Sequence, residues 1–217
     1  NPEIIDKITS GQHEIGFHTM KHTRIDTPDY KSIFSEELKE FNKIVSGKSV
    51  GFRAPTFSLN EKSSWMIDEL VNNNYKYDSS IIPVKTNMYG IPNGQKSPYR
   101  ITSSSLGKND HNGTLTEFPL LVTKIFGKTI PAAGGFYLRS LPLKIIKNAI
   151  KSYEKEKIPS SFYIHSWELT PEYIPKINLP IKNKLITFYK IQKTFSKMNQ
   201  LLKEFKFTNF DSYLKTI

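Results

Sequence analysis

Two histidines four residues apart, His18 and His22 in the run HEIGFHTMKH, follow a short strand-like stretch. Four residues return the chain to the same face in a helical turn, and a bend after a strand does likewise, so both imidazoles can converge on one divalent cation. Two ligands do not complete a zinc-type site. A carboxylate or third imidazole must come from elsewhere, with an open position for water. Three later runs end in residues of chemical use: GFRAPTFSL with Arg53 and Thr56, YKYDSSIIP with Asp78, and FYIHSWEL with His165. His13 is expected inside a strand and His111 in a polar turn, neither with a chemical role. The absence of Cys excludes a disulfide framework, a thiolate metal site and a Cys nucleophile.

The elements that must position these residues alternate between strand and helix. Thr27 and Pro28 read as N-cap and first position of a helix whose apolar residues, from Tyr30 through Phe34, Leu38 and Phe41 to Val45 with Ile33 and Ile44 between, recur until Gly47 stops it. The strand SVGFRAP follows. Asn60 is read as the cap of a second helix through Trp65, Met66, Leu70 and Val71, which gives way to the strand YKYDSSI. A Gly/Pro/Asn-rich excursion spans residues 89–97, and β-rich stretches cover 101–106 and 115–122. A third helix begins near Pro142 and turns Leu143, Ile146, Ala149, Ile150 and Tyr153 inward. The strand SFYIHSWEL and a last helix with Phe195, Met198, Leu201, Leu202 and Phe205 complete the pattern. Such alternation predicts an α/β fold with a parallel sheet and helical crossovers, in which His18, Arg53, Asp78 and His165 fall at or just past the C-terminal ends of strands.

At 217 residues, with no internal repeat or low-complexity linker, residues 1–217 read as one domain. The formal charge is +11. Four arginines (Arg24, Arg53, Arg100, Arg139) leave 27 of the 31 basic residues as Lys, spread along helices without a basic cluster interleaved with aromatics. Nucleic acid is therefore not an expected partner. Where Lys is the default, an Arg marks a place that needs a fork of donors, and Arg53 and Arg139 are singled out on that ground. No apolar run approaches the roughly 20 residues that span a bilayer. Compartment and oligomeric state are left open.

The runs quoted above, together with YGIP at Tyr89 to Pro92, TEFPL at Thr116 to Leu120, PAAGGFYLRSLP at Pro131 to Pro142, HSWELTPE and LLKEFKF, resemble the polysaccharide deacetylases of the NodB-homology group, in the branch associated with exopolysaccharide and PEP-CTERM systems. The resemblance implies a distorted, incomplete (β/α) barrel and a metal-dependent N-deacetylase acting on N-acetylated polysaccharide, with a divalent metal, zinc, on His18 and His22. It implies that Arg53 pairs with an acidic catalytic base, that the Thr56 N–H stabilises the oxyanion, and that His165 protonates the leaving amine, with Asp78 either orienting His165 or serving a turn. Trp167 and Tyr137 are then either sugar-stacking walls or core, and Arg139 either a sugar contact or half of an ion pair. The family's opening strand, with its acidic motif, has no counterpart in NPEIIDKITSGQHEIGFH, where Asp6 reads as a solvated helix face. The expectation is therefore a barrel lacking its first strand and helix, inactive without an upstream acid unless Asp26, Asp29 or Asp78 replaces it. The alternative is a catalytically inactive, deacetylase-like glycan-binding domain.

Overall fold

The computed structural model describes residues 2–47, 49–86, 89–175 and 178–217; Asn1, which opens the N-terminal run, lies outside them. In chain order the elements are α1 (Pro2–Ser10), α2 (Tyr30–Ile44), β1 (Gly51–Phe52), α3 (Trp65–Asn72), β2 (Tyr77–Asp78), β3 (Tyr99–Ile101), β4 (Leu115–Glu117), β5 (Val122–Ile125), β6 (Lys128–Pro131), α4 (Gly135–Ser140), α5 (Leu143–Lys155), α6 (Ser166–Leu169), α7 (Ile181–Phe188), α8 (Thr194–Glu204) and α9 (Phe210–Leu214). The chain divides into two compact units, Asn1–Pro119 with Thr208–Ile217, and Leu120–Phe207.

The first unit is built on a sheet in the order β1-β2-β4-β3. β1, β2 and β4 run parallel, and β3 lies antiparallel beside β4. Phe17 extends the sheet by one parallel bridge to Phe52, its N–H donating to Gly51 O at 2.8 Å and its carbonyl accepting from Arg53 N at 3.1 Å. Strand alternation turns Phe17 into the core and His18 out of it. Phe17, Phe34 and Phe52 meet with ring centroids 5.6 Å apart, over Leu38, Met66 and Leu70. Each such side chain contributes about 1.5–3 kcal/mol by leaving water, so the strand ends that bear the chemistry are anchored from beneath. Gly51 is obligatory for packing: a Cβ there would overlap the Tyr77 ring.

The sheet is open and mixed. Among the described residues no closed barrel forms, and α/β is the level at which the predicted architecture stands. The first predicted helix begins two residues late, at Tyr30, because Asp29 takes a left-handed φ of +61°, which a helix cannot continue. Its predicted inward residues Ile33 and Ile44 are instead half exposed, since the buried stripe passes through Tyr30, Phe34 and Leu38. Asn60 does cap the next helical segment, its side chain accepting from Lys62 N while its own N–H donates to the Ser63 hydroxyl, but it opens a 3-10 turn (Glu61–Ser63) ahead of α3.

The second unit holds the β5–β6 hairpin and helices α4 to α8. The hairpin partner β6 and the helices α4 and α7 carry too short or too Gly-rich a pattern to be read from periodicity. The strand expected over SFYIHSWEL is reduced to two parallel bridges, Ser161 to Leu120 and Tyr163 to Gly134. It stops because His165 and Glu168 form a reciprocal cap that starts α6. Leu201 on α8 and Phe205 just past its end are buried as expected, whereas Phe195 and Leu202 are exposed. No helix among the described residues is long and apolar enough to cross a membrane.

Candidate functional site

In the first unit, the His18 Nδ1 lies 2.6 Å from the carbonyl oxygen of Arg53. A carbonyl only accepts, so Nδ1 carries the proton and Nε2 the lone pair, the tautomer that metal-ligating histidines take when a backbone carbonyl holds the other nitrogen. The His22 ring stands edge-on to it, centroids 5.0 Å apart, and both side chains are exposed. The turn between them is unusual. Thr19 and His22 sit at φ +58° and +54°, and a β-branched residue in this region is a genuine outlier costing on the order of 1–3 kcal/mol. What holds the turn is Glu37, buried on α2, which accepts from Met20 N at 2.9 Å and from the Tyr30 hydroxyl at 2.6 Å. Sequence reading passed over Glu37; an acidic residue on the apolar stripe of α2 was the available signal.

The two imidazoles are ligands of the right type and proximity for a zinc-like ion, but they are two. Among the described residues no group of three or more His, Cys, Asp or Glu converges. Of the acids named as substitutes, Asp29 is exposed and Asp78 fully buried. Asp26 takes a fork from Arg24, Nε to Oδ1 at 2.9 Å and Nη2 to Oδ2 at 2.7 Å. Partial burial raises the Asp26 carboxyl, yet the hydrogen bonds and charge of Arg24 outweigh it and hold the group below the usual carboxylate range.

Arg24 also donates to the Thr56 hydroxyl at 2.7 Å, and Asn60 joins Asp26 at 3.0 Å. Thr56 is thus gripped through its side chain at φ +52°, with Phe57 following at +53°. Its backbone N–H makes no hydrogen bond among the described residues. Arg24 is a second omission, detectable by the logic that selected Arg53 and Arg139 in an Arg-poor chain. The Arg53 guanidinium is tied to Ser79, Nε to the carbonyl at 2.8 Å and Nη2 to the hydroxyl at 2.7 Å.

Asp78 and Glu117 are register neighbours on β2 and β4, both fully buried. Burial pushes the Asp78 carboxyl up to about 6 against the hydrogen bonds it receives. Burial, then the charge of Asp78, raises Glu117 well above the ordinary range.

In the second unit, His165 projects from the residue that caps α6, and the carboxylate on its Nδ1 is Glu168, 2.7 Å away, filling the place expected for Asp78. The same oxygen accepts His165 N at 3.1 Å, and the other meets Arg139 Nε at 2.8 Å. Burial raises the Glu168 carboxyl, but hydrogen bonds from the His165 ring and backbone, followed by the charges of His165 and Arg139, bring it below its usual value. Arg139 is 3% exposed, with its remaining nitrogens on the carbonyls of Thr187 and Tyr189 at 2.8 Å and of Ile186 at 3.4 Å. Of the two readings of Arg139, these partners are those of the ion pair. Trp167 stacks on His165, centroids 5.2 Å apart and planes 21° from parallel, and Tyr137 is half-buried against Phe136. Gly134 permits this arrangement, because at φ +123° its missing Cβ leaves room for the Tyr163 carbonyl.

No curated protein matches the chain. One solved structure that it resembles is titled "Crystal structure of putative polysaccharide deacetylase from Mycobacterium smegmatis", at 23% identity and a TM-score of 0.39, over 55% of this chain and 35% of that one. The chain thus spans about a third of that protein's length. Residues 79–215 match the family described as Domain of unknown function (DUF3473). Tyr137, Arg139, His165, Trp167 and Glu168 lie inside the matched stretch, while His18, His22, Arg53, Thr56 and Asp78 precede it. With more than half of its residues in that match, the chain belongs to the DUF3473 family, a polysaccharide deacetylase-associated domain.

Proposed function

We propose that the chain forms a distorted (β/α)-barrel, metal-dependent N-deacetylase that removes acetyl groups from the N-acetylated amino sugars of a polysaccharide, an exopolysaccharide by resemblance, within a single catalytic domain. The observation that supports the reading is the His18 Nδ1 contact with Arg53 O, which makes Nε2 the nitrogen that would ligate, beside His22. A divalent ion of zinc type on His18, His22 and a further acidic ligand would polarise the acetyl carbonyl and lower the pKa of a water from about 15.7 toward about 7. Arg53 has two tasks: its carbonyl fixes the His18 tautomer, and its guanidinium, steadied by Ser79, orients an acidic base. The Thr56 N–H, held in place through Arg24, donates to the carbonyl oxygen as charge develops there. An amine does not leave as an anion, so His165 delivers a proton to nitrogen as the C–N bond breaks, and acetate and the free amine result. Glu168 fixes its ring; Trp167 shields one face and, with Tyr137, offers a wall for a sugar ring.

The test is acetate release from N-acetylated chito-oligosaccharides and acetylated exopolysaccharide by the protein as its gene encodes it. Turnover should vanish with a chelator and return with zinc. His165→Ala should lower kcat by about 10² to 10⁴ and leave the zinc content unchanged. Loss of zinc with that substitution would assign His165 a different role, and chelator-insensitive turnover would end the metal reading.

A further inference from the structure

We propose that Asp78 and Glu117 hold one proton between them, and that this buried pair is a positioning device that sets the Arg53–Thr56 turn against His18. On each residue one oxygen is satisfied: Asp78 Oδ1 by the Ser80 hydroxyl at 2.5 Å, Glu117 Oε1 by Ile81 N at 2.9 Å. The other two, Asp78 Oδ2 and Glu117 Oε2, are buried and find no donor among the described residues. Native structures rarely leave such atoms orphaned. The two residues are register partners on neighbouring parallel strands, and a proton on one turns an acceptor into a donor, so a single hydrogen bond between them would close both vacancies and avoid two buried like charges.

Glu117 is the residue that keeps the proton. Asp78 has the Ser80 hydroxyl and the Arg53 charge to favour its ionised form, whereas the charge of Asp78 opposes ionisation of Glu117 and outweighs the Ile81 N–H on it. Another titratable group facing the pair is Tyr99 on β3, whose phenol is raised by burial and then by the two carboxyls. The consequence reaches the site through Ser80. An ionised Asp78 requires the Ser80 hydroxyl to donate, which turns a lone pair toward Ala54 N, 2.7 Å away. Ala54 lies between Arg53, whose carbonyl holds His18, and the Pro55–Thr56 turn. With the shared proton on the Oδ2–Oε2 side, Asp78 Oδ1 stays an acceptor and the hydroxyl that pins this turn keeps its direction.

The turn's importance rests on the deacetylase reading; the shared proton does not, and both can be measured without turnover. In a carboxyl ¹³C titration of the wild-type chain, one Glu should titrate well above the usual carboxylate range. Ordinary transitions for every carboxyl would overturn the proposal, and this holds even if no variant folds. A raised carboxyl in the folded state binds a proton that the unfolded chain releases, so its stabilisation is complete below the unfolded value and lost as pH rises through the folded one. Wild-type Tm should thus fall progressively as pH rises above the unfolded carboxyl value of about 4.3. Glu117→Gln, whose amide can donate to Asp78 without titrating, should flatten that slope; an unchanged slope would count against the pair. Ser80→Ala should release the His18 ring from its Nδ1–H tautomer, read by imidazole ¹⁵N shifts, while Glu117→Gln preserves it. An unaltered tautomer in Ser80→Ala would remove the positioning role, whatever acetate release shows.

Discussion

Thr19, His22 and Thr56 hold φ of +58°, +54° and +52°, and each belongs to a turn that presents a proposed metal ligand or an oxyanion donor. Three such residues cost several kcal/mol in sum, which persists because Glu37, Arg24 and the Arg53 carbonyl over-determine the turns. In the second unit the decisive single residue is Glu168, which is 0% exposed and serves Arg139 with one oxygen and His165 with the other. Glu168→Ala should leave the Arg139 guanidinium buried without its counter-charge and lower stability by about 3–5 kcal/mol in urea unfolding. A loss below about 1 kcal/mol would mean that the three carbonyls on Arg139 suffice alone. Glu168 stands three residues after His165 and just past an apolar run, the spacing of a capping box, so its role as a cap was legible.

At the scale of elements, the long periodic segments were readable and the short ones were not. α2, α3, α5 and α8 carry apolar residues at helical spacing, and each formed within a few residues of its expected place. The SFYIHSWEL segment was misread as a continuous strand. Its alternation is strand-like, but two bridges are all that Leu120 and Gly134 supply, and the His165–Glu168 cap then favours a helical turn. Gly134 marks where the first part of that segment packs against its neighbour. Gly134→Ala would force a Cβ into the Tyr163 carbonyl at a φ closed to alanine. The expected cost exceeds about 1–3 kcal/mol, together with a drop in kcat as Tyr163 and then His165 shift. A variant with wild-type Tm and kcat would show the backbone yielding there at no expense.

For the molecule as a whole, a charge of +11 is the property most open to a competing interpretation. Lysines on helix faces give a diffuse field, whereas sequence-specific nucleic-acid binding needs a clustered, aromatic-interleaved surface. Anisotropy with a short DNA duplex at physiological salt should give no affinity tighter than the non-specific range of about 10⁻⁴–10⁻⁶ M, with steep loss as salt rises. Nanomolar, sequence-dependent binding would replace the polysaccharide reading with a nucleic-acid one.

Residue identity and order were enough to reach the α/β class, the family and the residues at strand ends, because hydrophobic period and motif spacing are local properties that survive without coordinates. The pairing of His18 with Arg53 O, of Asp26 with Arg24, and of Asp78 with Glu117 joins residues that only the fold brings into contact, or whose partners compete in ways distance alone resolves. Burial made the same difference for charge: Arg139 was a plausible sugar contact until a 3% exposed guanidinium met Glu168 and three carbonyls. A chain's local pattern specifies which groups can do chemistry. Desolvation and the sharing of a finite number of donors, set by tertiary packing, decide which of them are left to do it.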